Sequence, residues 1–207
     1  LIEKQGGADD ITGGNADDLI FGDDGDDKLQ GGGGRDTLDG GWGDDKLFGE
    51  GDNDLLQGWQ GKDELFGGAG NDILVGGSGA DILNAHDANG VGLDTLLGGA
   101  DSDTFILGET GKVYYLDPAN SQGQVNYAVI GSELDVFEPG TDKIQLAGAA
   151  ANYTVVVDPG FLGAANVPDL KITENSHPGD VIAFIVDAPI SLANNPNSIL
   201  NNDVIFV

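Results

Sequence analysis

The sequence predicts an all-β protein, with a parallel β-roll over residues 1–106 followed by a β-rich C-terminal capping domain over residues 107–207. Three observations carry that reading. An aspartate stands at every ninth position: Asp9, Asp18, Asp27, Asp36, Asp45, Asp54, Asp63, Asp72 and Asp81. A branched aliphatic follows each of them by two residues: Ile11, Ile20, Leu29, Leu38, Leu47, Leu56, Leu65, Leu74 and Leu83. Glycine precedes most of them by five. Acid, apolar and glycine positions locked to one period mark a structural repeat rather than a biased composition.

The repeat unit explains the roll. Numbered from its first glycine, as in Gly67 to Val75, the unit prefers glycine at positions 1, 2 and 4, aspartate at 6 and an apolar residue at 8. Glycine permits φ > 0 and a tight bend, so positions 1–6 form a turn. Positions 7–9 form a three-residue strand, about 10 Å long, with position 8 on one face and positions 7 and 9 on the other. One inward side chain per strand suits a thin core between two sheets. Two repeats complete one coil, and successive coils stack about 4.8 Å apart. Residues 85–97 are a repeat carrying an insertion, after which Asp94 and Leu96 restore the pattern; residues 98–106, with Asp103, are the last repeat.

Beyond Leu107 glycine thins, and β-branched and aromatic residues rise. Strands are expected at Val113–Leu116, Tyr127–Ile130, Lys143–Leu146, Tyr153–Val157, Leu170–Thr173, Val181–Val186 and Val204–Val207, separated by Asp-Pro and Pro-Gly turns. A repeat array needs a terminal unit over its open end, and these strands are expected to supply it.

Stacking decides the chemistry. Asp9, Asp27, Asp45, Asp63 and Asp81 fall along one edge, and Asp18, Asp36, Asp54 and Asp72 along the other. Like charges about 4.8 Å apart repel by about 1 kcal/mol per pair in water, and by roughly 3–4 at an effective dielectric of 20. Asp17, Asp26 and Asp44 at position 5 add to the charge. A hard divalent cation between coils removes the penalty, and oxygen-only ligation without Cys or His selects Ca²⁺ over zinc or copper. The net charge of −28, from 36 acids and 8 Lys+Arg, argues against nucleic acid and anionic membranes. No run of the sequence approaches the length of a membrane span.

The unit G-G-x-G-x-D-x-U-x resembles the RTX (repeats-in-toxin), or hemolysin-type, calcium-binding repeat, over about half the chain. The resemblance implies a parallel β-roll with calcium held between turns two repeats apart, each carboxylate shared by neighbouring ions and turn carbonyls completing the shell. It assigns metal roles to the repeat aspartates, with Asp94 and Asp103. It does the same for the turn glycines: Gly13, Gly22, Gly31, Gly32, Gly34, Gly40, Gly41, Gly43, Gly49, Gly58, Gly61, Gly67, Gly68, Gly70, Gly76, Gly77 and Gly79. Seven turn pairs follow: 4–9/22–27, 22–27/40–45, 40–45/58–63 and 58–63/76–81 on one edge, and 13–18/31–36, 31–36/49–54 and 49–54/67–72 on the other. Further sites lie near Asp94 and Asp103. The first is in doubt because Lys4 and Gln5 replace both leading glycines. Asp23, Glu50 and Trp59 at position 2, and Ala16 and Asp52 at position 4, test the need for φ > 0, with the Ala16 turn the most suspect.

The resemblance further implies type I secretion into calcium-rich surroundings, so the chain is expected outside a bacterial cell or on its surface. Phe137–Leu146 resembles the segment that closes the roll in RTX proteases, and Asp203–Val207 resembles an uncleaved type I signal. The repeat-plus-cap arrangement is similar to that of secreted cyanobacterial members. A chain that opens inside a repeat and has no Met reads as a piece of something longer.

No enzyme is expected. His86 and His177 form no H-E-x-x-H motif, and Gly76–Ala80 falls a glycine short of a nucleophile elbow. Glycine at every ninth position forbids the helices an EF-hand needs. Outward positions 7 and 9 carry Leu19, Phe21, Leu55, Ile73 and Val75 on the even-repeat face, and Phe48 and Phe66 as stacked neighbours on the other. The even face either docks a cap, protein or cell surface, or consists of ordinary exposed apolar residues. The function expected is a calcium-folded structural, surface or adhesive module; the alternative is the calcium-binding and secretion domain of a larger secreted hydrolase, a protease or lipase.

Overall fold

The computed structural model describes residues 1–84, 92–109, 112–113, 127–130, 141–149, 152–158, 169–175, 181–185 and 204–207. Two long sheets face each other, and among the described residues there is no helix. The first sheet runs, in spatial order, β1 (Ile2–Glu3), β3 (Leu19–Phe21), β5 (Thr37–Trp42), β7 (Leu55–Gln60), β9 (Ile73–Ser78), β11 (Leu93–Ala100), β15 (Tyr127–Ile130), β19 (Val181–Ile185), β18 (Asp169–Glu174) and β17 (Tyr153–Asp158). The second runs β2 (Asp10–Gly14), β4 (Lys28–Gly33), β6 (Lys46–Gly51), β8 (Glu64–Ala69), β10 (Ile82–Asn84), β12 (Thr104–Ile106), β16 (Lys143–Leu146) and β20 (Val204–Phe206). Chain order alternates between the sheets, as two repeats per coil require.

Register follows the period. Ile20 pairs with Leu38, Leu38 with Leu56 and Leu56 with Leu74, each eighteen residues on. Leu74 then pairs with Leu96, so the insertion lengthens one connection and leaves the ladder intact. The position-8 residues from Ile20 to Leu96 are fully buried and form one core with Phe105, Ile130, Ile144, Ile172 and Ile185. A fully buried Leu contributes about 1.5–3 kcal/mol, so one inward residue per strand is enough only because many coils share the column.

The strands are longer than the three residues expected. Thr37–Trp42 and Glu64–Ala69 begin at position 7 and run on through position 3 of the next unit. Gly41 pairs with Trp59 and Trp42 with Gln60, so glycine-rich backbone lies flat on the neighbouring coil and joins its ladder.

The second half extends the first. β11 pairs in parallel with β15, β15 with β19, β12 with β16, and β16 with β20, so both sheets continue through the boundary between the halves. β18 and β17 then close the first sheet in antiparallel fashion. Six of the expected strands appear close to their expected limits. Of the seventh only β14 (Lys112–Val113) is described, in a hairpin with β13 (Gly108–Glu109); residues 114–116 lie outside the described residues, as do 85–91 with His86, residue 177 and Asp203.

Candidate metal centre

Each position-6 aspartate is the last turn residue before a strand, and its backbone N–H points along the stacking direction toward the next coil. Asp9 N–H donates to Asp27 Oδ1 at 2.7 Å, Asp27 to Asp45 at 2.7 Å, Asp45 to Asp63 at 2.9 Å, Asp63 to Asp81 at 2.9 Å and Asp81 to Asp103 at 3.0 Å. On the other edge Asp18 donates to Asp36, Asp36 to Asp54, Asp54 to Asp72 and Asp72 to Asp94, at 2.7–2.9 Å. Both columns stand where the period places them. Asp103 joins the first and Asp94 the second.

The other carboxylate oxygen is the informative one. Oδ2 of Asp27, Asp36, Asp45, Asp54, Asp63 and Asp81 is buried and accepts no hydrogen bond. A buried anionic oxygen without a partner is costly unless a cation meets it. The position-1 glycines show what these oxygens face. A methyl built on Gly22 would meet Asp27 Oδ2 and the Gly40 carbonyl oxygen, and one on Gly58 would meet Asp63 Oδ2 and the Gly76 oxygen. Gly13 with Asp18 and Gly31, Gly49 with Asp54 and Gly67, and Gly76 with Asp81 and Gly98 repeat the arrangement. Beside each of these glycines a carboxylate oxygen of its own turn and a carbonyl oxygen of the next coil converge on one point. Gly31, Gly40 and Gly67 likewise face Asp36, Asp45 and Asp72.

The remaining glycines assigned by resemblance, Gly32, Gly34, Gly41, Gly43, Gly61, Gly68, Gly70, Gly77 and Gly79, shape the turn, and all have positive φ. Gly79, at φ +131°, faces the Gly61 carbonyl so closely that no Cβ fits. The substituted turns divide. Asp23, Glu50, Asp52 and Trp59 adopt φ of 68–77°, at a cost of about 1–2 kcal/mol each. Ala16 does not enter the left-handed region, and neither does Gly14 in the same turn, so that turn takes another path.

Electrostatics agree with the geometry. Burial pushes the carboxyls of Asp45 and Asp81 up to about 6, and those of Asp54 and Asp63 up to about 7. The hydrogen bond from the preceding rung opposes the rise, and nearby carboxylates add to it. Asp27 and Asp36 rise for the same reasons. Among the described residues no three carboxylates or imidazoles converge, so an ion here rests on carboxylate and backbone oxygens together. That is a hard-cation donor set, and it fits Ca²⁺, which takes six to eight oxygens at about 2.3–2.6 Å.

A family model described as the RTX calcium-binding nonapeptide repeat, in four copies, matches residues 5–38, 21–56, 39–74, 57–91 and 90–109, together just over half the chain. The chain belongs to this RTX family. RTX repeats bind calcium, and in this RTX chain the repeats fold as a parallel β-solenoid. No curated protein matched it. Among solved structures it is similar to the AlgE6R3 subunit of the Azotobacter vinelandii mannuronan C5-epimerase. Identity is 19%, 79% of this chain and 78% of that one are covered, and the TM-score is 0.28, at which the likeness carries no argument.

Further features of this RTX roll concern its first rung, its last rung and position 5. Lys4 Nζ lies 3.4 Å from Asp9 Oδ1, so the first rung already holds a cation of its own. Asp142 is a rung that sequence reasoning missed. It is buried, and its Oδ1 accepts the Asp103 N–H at 3.1 Å, as Asp27, Asp45, Asp63, Asp81 and Asp103 accept from the rung before them. The signal was present, since Asp142 and Ile144 keep the acid–apolar spacing, but 39 residues separate it from Asp103. The position-5 side chains also do more than add charge. Asp17, Asp26, Asp44, Asn53 and Asn71 each accept a backbone N–H from the following coil.

Proposed function

We propose that this chain is a secreted calcium-folded module in which ions occupy the intercoil cradles and convert an extended acidic chain into a rigid roll. The observation that carries the reading is the column of buried Oδ2 atoms that accept no hydrogen bond, each facing a glycine cradle. Seven ions are proposed, in turn pairs 13–18/31–36, 22–27/40–45, 31–36/49–54, 40–45/58–63, 49–54/67–72, 58–63/76–81 and 76–81/98–103. The pair 4–9/22–27 is left to Lys4. Residues 1–106 are proposed as the ion-bearing roll and 107–207 as the cap that ends it.

The physical logic is coupling of binding to folding. Sites of this extracellular kind have Kd of about 0.1–1 mM, and site energy is then folding energy. In a low-calcium cell interior, repulsion within a chain of net charge −28 keeps it extended and able to thread a type I channel. Outside, calcium closes the roll, which then serves a structural, surface or adhesive role. The test is far-ultraviolet circular dichroism of the full chain during calcium titration and chelation. Strand signal is expected to appear with calcium and vanish with EDTA, and a spectrum indifferent to both would refute the proposal.

A further inference from the structure

The two edges of the roll differ outside the ion cradles. On the Asp18 edge, positions 2 and 3 are mostly bare: Gly32 and Gly33, Gly51, Gly68 and Ala69. On the Asp27 edge the same positions carry Trp42 and Trp59, in adjacent paired coils. They are the chain's two tryptophans, and they are 64% and 52% exposed. Trp59 holds a left-handed conformation that neighbouring coils give to glycine, since Gly41 and Gly77 occupy the same position with positive φ. Asp23 and Glu50 take the same conformation at position 2, so what sets Trp59 apart is the large indole left in water there.

We infer that this edge is a carbohydrate-binding ridge, on which Trp42 and Trp59 stack against the C–H faces of sugar rings in a neutral polysaccharide. The flanking groups select that class. Asp24, Gln60 and Ser78 are exposed along the same edge and supply hydrogen-bond partners for hydroxyls. They also break up the apolar area, whereas a protein partner would favour a contiguous apolar patch. The anionic surroundings disfavour polyanions. Trp42 and Trp59 stand on neighbouring coils, about 4.8 Å apart and one residue out of register, a separation that consecutive sugar rings of an extended chain can span.

This inference rests on the calcium-folded roll and names a ligand for it, so folding and binding are read separately. Position 2 accepts glycine in neighbouring coils, so Trp59→Gly removes the ring and leaves the fold intact; Trp42→Ala is the second variant. The full chain in calcium is run through native gels cast with a soluble glucan, a mannan, a xylan or a polyuronate, and tryptophan emission is recorded with the matching oligosaccharides. Circular dichroism of each variant is followed over the same calcium range. Retardation and a blue shift with at least one neutral polysaccharide, weakened at least about tenfold in both variants at unchanged calcium-dependent dichroism, is the expected result. Binding to none, binding to the polyuronate alone, or unchanged binding in the variants would overturn the ridge while leaving calcium-driven folding in place. Loss of the dichroic response in the unmodified chain would instead overturn the reading beneath it.

Discussion

Gly58→Ala tests the ion cradle without touching a carboxylate ligand. Gly58 lies outside the left-handed region, so alanine meets no backbone penalty there. The new methyl would press on Asp63 Oδ2 and lie 2.7 Å from the Gly76 carbonyl oxygen, filling the point where those oxygens converge. Two quantities are affected: one ion's contribution to folding, lost only in calcium, and the steric cost of the methyl against the Gly76 backbone, present with or without calcium. At about 10 mM calcium and a Kd of about 0.1–1 mM, a site adds about 1.4–2.7 kcal/mol. The variant should lose that much more stability in calcium than without it, bind one ion fewer by calorimetry, and titrate with a shallower slope in circular dichroism. Gly51→Ala is the control. Gly51 also lies outside the left-handed region, and a methyl there meets only the Gly32 oxygen at 3.5 Å, so it should titrate like the parent. If Gly58→Ala keeps full stoichiometry and slope, the position-1 glycines do not mark the ion sites.

Three further outcomes follow from the same structure. The carboxyls of Asp54 and Asp63, at about 7, and of Asp45 and Asp81, at about 6, favour the neutral form in the metal-free fold. Their contribution to metal-free stability is therefore present below the unfolded value of 3.8 and lost as pH rises through 6–7, while calcium needs them ionised. The calcium midpoint should climb as pH falls from about 8 to about 5, and a flat profile in fluorescence or dichroism would contradict this. Asp45→Ala should reduce calcium cooperativity in calorimetry more than Asp9→Ala, because Asp45 is fully buried between two rungs whereas Asp9 is only partly buried and bridged by Lys4. Leu56→Ala should cost about 2–5 kcal/mol in denaturant unfolding with calcium present, since Leu56 is the one fully buried side chain of its short inward row.

Much of this was legible in the sequence because a nine-residue period fixes side-chain position twice, once along the strand and once up the stack. It placed Leu38 over Ile20 and Asp45 over Asp27, and it set Phe48 against Phe66, whose rings stack at 4.9 Å with Lys28 6.0 Å from the Phe48 centroid. It also left Leu19 and Ile73 of the even-repeat face exposed, as outward positions. Periodicity was silent where backbone alone acts. Glycine signalled a bend at position 2, yet Gly41 both bends and pairs, and only the neighbouring coil reveals the pairing. Asp142 was hidden because long connections erase spacing while leaving the rung in place. Asp17, Asp26 and Asp44 read as charge, and the amide each one caps belongs to a residue eighteen positions away.

Asp27 grips the coil before it through Oδ1, while Oδ2 faces the Gly40 carbonyl of the coil after it. The molecule is thus assembled from interchangeable links of two repeats each. Excising or duplicating eighteen residues keeps every link engaged and alters only the length. Removing nine would exchange left for right in all that follows, parting Trp42 from Trp59 if the cut fell between them. Growth by paired units is consequently the neutral route for such a chain, and the 22-residue step from Asp72 to Asp94 shows that surplus residues are absorbed in a connection without breaking the linkage.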